Sequence, residues 1–469
     1  MARTTTVKSS CMMRPLKPYV YGFLFLTIFG FMFYLSVFIR YSSGTSMFTF
    51  DEEGRANVSG MLHILPTVHP ILLDRQSYFI QDRRVKQVNC TAIFDGDENE
   101  TALAERLAST DNRTFFQSDN YIKMTSNCSK FILDRGYITD SLDEMENEFP
   151  IAFSILMFVA IEQAERLLRA IYRPQNLYCF HIDAKSDNDL YDAMSRVAAC
   201  FDNVHVLDER VDVQWGQMSV LEPELLCMEH LWSRSAKWKY FINLTGQEFP
   251  LKTNNELVRI LQAYNGSNDI AGTIKRANTN RWANAGPPPH GIVPTKGSVH
   301  IIASRGYVDF VLHDPIAANL LNWTRKTAVP DETFFSTLNH NPSLGVPGSY
   351  KELLNCLNGS FNQYILFEGI PEIDEEIKPF LARYKNWGER KCHGKRVRGV
   401  CVNGARDLPP LKDTHQLFVN KLHQEFHPLA YDCLEELLFN RTRDGHLGLR
   451  IFNSTFYTNL GFVKNKVGR

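Results

Sequence analysis

An excess of charge of either sign is missing from this chain: 51 lysines and arginines face 52 acids, for a formal net charge of −1. Without a basic excess there is no bulk attraction to nucleic acid. Low-complexity tracts and repeats of solenoid period are missing too, which excludes a stacked-repeat architecture. The zinc-protease order His-Glu-x-x-His is not met. His423 and His427 stand four apart, but Gln424-Glu425-Phe426 lies between them and no third ligand follows, so both read as surface histidines. What is present is material for a large core: 44% hydrophobic and 12% aromatic residues in a chain of 469. That length suits two or three domains, or one large two-lobed body.

Residues 18–39 carry no charge and are rich in Phe, Leu, Ile and Val. Twenty-two helical residues rise roughly 33 Å, enough to cross a hydrocarbon core of roughly 30 Å. Arg3, Lys8, Arg14 and Lys17 precede the stretch without an acid, whereas Asp51, Glu52 and Glu53 follow it. Positive flanks stay cytoplasmic, so residues 1–17 are expected to be a cytoplasmic tail and the remainder lumenal or extracellular. The rival, a cleaved signal peptide, has an apolar region of only about 7–15 residues. Eleven Asn-x-Ser/Thr sequons follow the apolar stretch and none precedes it. One of them, Asn243, lies in a strand-like apolar run and is expected to stay unmodified. Nine of ten cysteines lie beyond the stretch. They read as disulfides of an oxidising compartment, with buried thiols as the alternative, and the odd number leaves one unpaired or bonded to another chain. A homodimer is therefore open.

Residues 40–86 are polar and aperiodic and read as a stem. Residues 87–149 form a small subdomain of loops and short helices. At Pro150 the texture changes. Ile151–Ala160 is a continuous apolar run, as in a strand buried on both faces. Ile161, Ala164, Leu167, Leu168 and Ile171 then share one helical face, which Pro174 ends. Leu177–Ile182, Val204–Leu207 and Tyr240–Leu244 read as further strands, separated by helices at 187–200 and 217–232. Such alternation predicts a parallel sheet in an α/β fold. Ligands of such sheets lie beyond the carboxyl ends of the strands, which singles out Asp183. A strand at 299–303, helices at 307–312 and 331–338, and a last helix at 417–439 complete the body. Residues 150–445 are assigned to it and 446–469 to a C-terminal tail.

Four patterns carry chemistry. Asp187-Asn188-Asp189 and Asp95-Gly96-Asp97 match the Asp-x-Asp pattern for a divalent ion, but acids at a helix start usually satisfy free amides. In Pro330-Asp331-Glu332 a carboxylate either serves a helix dipole or acts as general base toward a hydroxyl. The basic residues Arg383, Lys385, Arg390, Lys391, Lys395, Arg396, Arg398 and Arg406 form a solvated face, a membrane or glycan patch, or the cations that neutralise a departing diphosphate.

Several separated motifs resemble the core-2/I-branching β-1,6-N-acetylglucosaminyltransferase family. They are Glu148-Phe149-Pro150-Ile151-Ala152, the run from Arg166 to Asn176, Tyr178-Cys179-x-His181-x-Asp183-x-Lys185-Ser186, and Trp238-Lys239-Tyr240-x-Ile242-Asn243-Leu244. Phe249-Pro250-x-Lys252-Thr253-Asn254, Pro330-Asp331-Glu332, Val400-Cys401 with Gly404-Ala405-x-Asp407-Leu408, and His415-x-Leu417-Phe418-x-Asn420-Lys421 follow in order. The likeness runs from about Cys90 to Leu438. It implies a GT-A-like body with a Rossmann-like nucleotide-binding half behind one transmembrane signal anchor, in the Golgi membrane with the catalytic part lumenal. It also implies inverting chemistry without metal or cofactor. Glu332 matches the family's catalytic base, Arg398 and Lys421 its diphosphate-binding cations, and Asp183 an acid that holds the nucleotide. Arg281 and Trp282 match acceptor-binding positions. The implied disulfides are Cys90–Cys433, Cys128–Cys200, Cys179–Cys227 and Cys392–Cys401, which leaves Cys356 over.

The expected reaction moves N-acetylglucosamine from UDP-N-acetylglucosamine to the 6-hydroxyl of a mucin-type O-glycan core on a glycoprotein. Three departures bear on donor and acceptor. Tyr364-Ile365-Leu366, not Trp-x-Tyr, precedes Phe367-Glu368-Gly369. An acidic acceptor contact is missing near Ala271-Gly272, and Phe158 stands where those enzymes carry a nucleotide-side His. Loss of groups that grip sugar hydroxyls alters selectivity. UDP-glucose and UDP-xylose are thus alternative donors, and a non-catalytic membrane lectin is the rival of another class.

Overall fold

The computed structural model describes residues 85–273, 277–350 and 380–467. The expected tail and anchor, almost all of the stem, Cys356 and the segment around 364–369 lie outside these residues. Among the described residues no helix is long and apolar enough to cross a membrane.

Five short helices occupy the expected small subdomain: α1 (Cys90–Phe94), α2 (Glu98–Thr110), α3 (Ser118–Met124), α4 (Cys128–Arg135) and α5 (Glu144–Glu148). Asn89, Asp97, Asn127 and Asp143 cap four of them, each accepting from first-turn amides that have no partner inside the helix. Asp97 is thus spent on a cap, and its neighbour Asp95 pairs with Lys412. That Asp-x-Asp match is structural.

The α/β body follows as β1 (Ile151–Met157), α6 (Ile161–Ile171), β2 (Leu177–Ile182), α7 (Asn188–Ala198), β3 (Val204–Val206), α8 (Glu222–Arg234) and β4 (Tyr240–Thr245). Next come β5 (Glu248–Pro250), α9 (Asn254–Tyr264), β6 (Asp269–Thr273), β7 (Lys296–Ser304), α10 (Arg305–His313), α11 (Pro315–Thr324) and α12 (Phe334–Asn339). The main sheet has the order β3-β2-β1-β4-β7-β6. Its first four strands are parallel, and β7 runs antiparallel to both β4 and β6. The predicted apolar face of α6 is buried at all five positions. Burying each Leu or Ile there contributes about 1.5–3 kcal/mol relative to exposure. Asn243 is buried on β4. Its amide nitrogen donates to Glu224 (3.0 Å) and Val299 (2.8 Å), in keeping with an unmodified sequon.

The C-terminal part adds β8 (Arg383–Tyr384), the hairpin β9 (Lys395–Val397) and β10 (Val400–Val402), β11 (Phe418–Asn420), α13 (Pro428–His446) and the short α14 (Thr455–Thr458) and α15 (Gly461–Lys464). Strand β11 lies between β5 and β8. The expected helix at 417–439 is therefore corrected. Phe418–Asn420 is a buried strand, and the helix starts only at Pro428, whose missing amide hydrogen costs nothing at that position. Nor are His423 and His427 surface residues on one helical face. His427 is 4% exposed, and its Nδ1 accepts from the Ala430 amide at 3.1 Å as the helix cap.

Cys90–Cys433, Cys128–Cys200 and Cys392–Cys401 are bonded. The fourth expected bridge is absent. Cys179 on β2 and Cys227 on α8 are buried free thiols with sulfurs 2.7 Å apart, beyond a covalent S–S distance of about 2.05 Å. Both sit in an apolar cluster, where burial pushes the Cys227 thiol up and keeps it protonated.

Candidate active site

The carboxyl ends of the parallel strands converge on one edge, and the chain supplies charged groups there. Asp183 directly follows β2, and its amide donates to the Met157 carbonyl at the end of β1. Its carboxylate accepts from the Lys185 amide and ammonium, both at 2.9 Å, and Lys185 also reaches Asp212 at 2.8 Å. Asp183 is 8% exposed, so it is fixed rather than free to swing. Asp187 and Asp189 lie at the start of α7, one as its cap residue and one in its first turn. Among the described residues no group of three or more His, Cys, Asp or Glu side chains could hold a metal.

Next along this edge, Leu422 donates its amide to the Gln247 carbonyl beyond β4 at 2.9 Å, and this draws Lys421 to the strand ends. The hairpin of β9 and β10 packs alongside, since the Lys421 carbonyl accepts from the Asn403 amide at 3.1 Å. Arg398 and Gly399 form its two-residue turn, with φ of 52° and 84°. Positive φ at both positions suits the right-handed twist of a hairpin, and glycine takes the second without strain. Cys392–Cys401 closes this loop. Among the described residues neither the Arg398 guanidinium nor the Lys421 ammonium meets a carboxylate. Burial and the positive charge of Arg398 hold the Lys421 amine below the usual lysine range. Two uncompensated cations this close make a site for an anion.

Glu332 arrives from the other side. Val329 has φ 54°, a genuine outlier for a β-branched residue, and its amide is pinned to the Gly216 carbonyl at 3.0 Å. The turn at Pro330–Glu332 follows, and α12 starts two residues later. Among the described residues five non-glycine residues have left-handed backbone, and three of them, Ala160, Val329 and Arg398, border this edge. Strained backbone held in place by its surroundings clusters at functional sites. Arg281 donates to Glu332 at 2.5 Å, and Lys296 Nζ lies 3.5 Å from it. Trp282 donates to Thr333 Oγ1 at 3.0 Å. Both expected acceptor residues therefore touch the Glu332 turn itself. The neighbouring Asp331 is buried, and burial next to Glu332 pushes its carboxyl up to about 6.

Glu332 opens onto a cleft of about 550 Å³ shared with Lys296, Ser298, Lys385, Trp387 and Arg390. Trp387 is 56% exposed, and its ring lies against Gly399, where an added Cβ would meet it at 3.3 Å. This ring connects the Glu332 cleft to the Arg398 turn. Behind the cleft lies a buried polar relay that the sequence reading missed. Glu248 accepts from Arg383 (2.9 Å) and Asn420 (2.9 Å), and His300 Nε2 lies 2.6 Å from it. The cations beside Glu248 outweigh its burial and hold its carboxyl down at about 2. Arg383 and Lys385 were visible only as part of a basic run. A tryptophan set among basic residues was the available signal that this run is not merely a solvated face.

The Core-2/I-Branching enzyme profile matches residues 151–412. The chain belongs to the core-2/I-branching enzyme family. The human beta-1,3-galactosyl-O-glycosyl-glycoprotein beta-1,6-N-acetylglucosaminyltransferase is 36% identical over 374 residues, covering 75% of this chain and 85% of that protein. A second human protein of that name, numbered 3, is 31% identical over 75% of this chain and 83% of its own length. The human N-acetyllactosaminide beta-1,6-N-acetylglucosaminyl-transferase is 32% identical over 72% of this chain and 85% of that protein. The matched span of this family member contains Asp183, Arg281, Glu332 and Arg398; Lys421 lies just past its end.

Proposed function

We propose that the chain is an inverting β-1,6-N-acetylglucosaminyltransferase of O-glycans, anchored in the Golgi membrane with its catalytic part lumenal. The observation that carries this reading is one strand edge with a carboxylate at one end and two uncompensated cations at the other. Glu332 takes the proton of the acceptor 6-hydroxyl as its oxygen attacks the anomeric carbon. The bond to the diphosphate breaks as the new glycosidic bond forms, and an α-linked donor yields a β-linked product. Arg398 and Lys421 stabilise the charge that collects on the departing UDP, a role that needs no metal. Asp183 holds the nucleotide from the β2 side.

In the resting state Arg281 occupies Glu332, so a bound sugar must take over part of that contact. Named activities of the relatives support the donor, since all three transfer N-acetylglucosamine in β-1,6 linkage. Their acceptors differ, from O-glycosyl glycoprotein to N-acetyllactosaminide, and the O-glycan core is favoured here by the higher identity to the first. The test is a panel of UDP-sugars offered with one core disaccharide. Transfer from UDP-N-acetylglucosamine well above UDP-glucose and UDP-xylose is expected. Preference for either of the others would overturn the donor assignment, and binding without any transfer would favour a lectin.

A further inference from the structure

Lys385 differs from the other cations around Glu332 in what holds it. Arg281 and Lys296 spend their charge on Glu332, and Arg383 on Glu248. The Lys385 ammonium instead donates to two neutral atoms, Ser298 Oγ at 3.0 Å and His300 Nδ1 at 2.8 Å. His300 is kept neutral because burial and the neighbouring Lys385 push its ring down to about 4. With Nε2 at 2.6 Å from Glu248, the ring hydrogen belongs on that side, and the Nδ1 lone pair faces the ammonium. Among the described residues no carboxylate pairs with Lys385. An ammonium has three hydrogens, and two are accounted for here. The third meets no acceptor among the described residues, the Phe380 ring lies 6.0 Å from the ammonium, and Lys385 lines the same cleft as Glu332.

We propose that Lys385 is an acceptor-specificity residue that binds an anionic group, a carboxylate or sulfate, on the glycan being branched. This deepens the glycosyltransferase reading and rests on it. The position favours the acceptor over the diphosphate. Lys385 interacts electrostatically with Glu332 and Lys296, whereas the partner of Lys421 is Arg398. A cation tethered by neutral acceptors keeps its charge available and is already in place, so little ordering cost is left to binding.

The amine is also poised by its surroundings. Burial holds Lys385 down at about 8, with Glu248 and Glu332 opposing and Arg383 and Lys296 assisting. The cation is present below that value and lost above it. His300, already neutral, does not titrate in this window.

The test compares the full-length chain with Lys385→Met and Lys385→Arg on three acceptors: a neutral core disaccharide and the same disaccharide bearing either a sialic acid or a sulfate. Both kcat/KM and equilibrium binding are measured. A single charge-assisted hydrogen bond is worth about 1.5–3 kcal/mol, or roughly tenfold or more. The acidic acceptors should therefore exceed the neutral one by about tenfold. Lys385→Met should erase that preference while leaving the neutral acceptor within about threefold, and Lys385→Arg should retain part of it. Raising the pH through about 8 should erase it in the wild type as well. The sialylated and sulfated arms tell carboxylate from sulfate. Equal use of all acceptors, or an equal loss on all of them in Lys385→Met, overturns the proposal. Absence of turnover with the binding preference intact would overturn the reaction reading instead and leave this site standing.

Discussion

Around α6 and α13 each arginine meets a carboxylate, whereas at the strand ends Arg398, Lys421 and Lys385 meet none among the described residues. Arg166 reaches Asp432 at 2.6 Å and Glu435 at 2.8 Å, and Arg169 reaches Glu435 at 2.8 Å. Arg113, from the loop after α2, adds a contact to Asp432 at 2.6 Å, and Arg135 of α4 pairs with Glu165 of α6. These pairs fasten the N-terminal helices to the body, and leaving one member buried alone would be costly. On the proposed function, the same residue types at the strand ends lack acids because a ligand supplies their counter-charge. Arginine alone is thus no marker of function in this molecule. Its partner, or lack of one, is.

The comparison can be broken or sharpened in graded steps. Glu332→Gln should lower kcat by about 10²–10⁴-fold, the usual range for losing a positioned base, with UDP affinity unchanged. A near-normal rate would remove Glu332 from the mechanism. The double change Arg398→Met with Lys421→Met should cost about 10²–10³-fold in kcat and weaken UDP binding along with it. On the structural side, Glu435→Gln should destabilise the fold by about 3–5 kcal/mol, read as a lower unfolding midpoint. The kcat/KM of the protein that remains folded should not change. Arg166 and Arg169 hold the Glu435 carboxyl well below its usual range. Its contribution is therefore complete above about pH 4.3 and lost as the pH falls below, and the variant should flatten that acid limb. If Glu435→Gln instead altered kcat/KM at neutral pH, the division into structural and functional charges would fail. Smallest of all is the expected effect of EDTA, which should leave the rate unchanged. A strict requirement for manganese would reopen the Asp187-Asn188-Asp189 pair.

Much of this was readable from the chain, and the limits have physical causes. The apolar run at Ile151 and the face Ile161–Ile171 announced β1 and α6 because burial imposes the two periods directly. Asp183 followed from the rule that ligands lie beyond strand ends. Periodicity failed at 417–439, where a three-residue strand buried on both sides carries no period to read. There the start of α13 was set by Pro428 and the His427 cap. The Glu248–Arg383–His300–Lys385 relay was invisible because its members come from three distant segments and only folding joins them. Trp387 was hidden inside a run whose usual fate is solvent. The pairing of Cys179 with Cys227 is met as proximity, with the sulfurs 2.7 Å apart and unbonded.

The central claim is that two fixed cations, without a metal, hold the diphosphate that leaves when Glu332 activates the acceptor. Its most direct test is calorimetric binding of UDP to the full-length chain in EDTA, comparing wild type, Glu332→Gln and the Arg398→Met/Lys421→Met double variant. The account predicts equal affinity for the first two and little or none for the third. Equal affinity in all three, or binding only after manganese is restored, would contradict it.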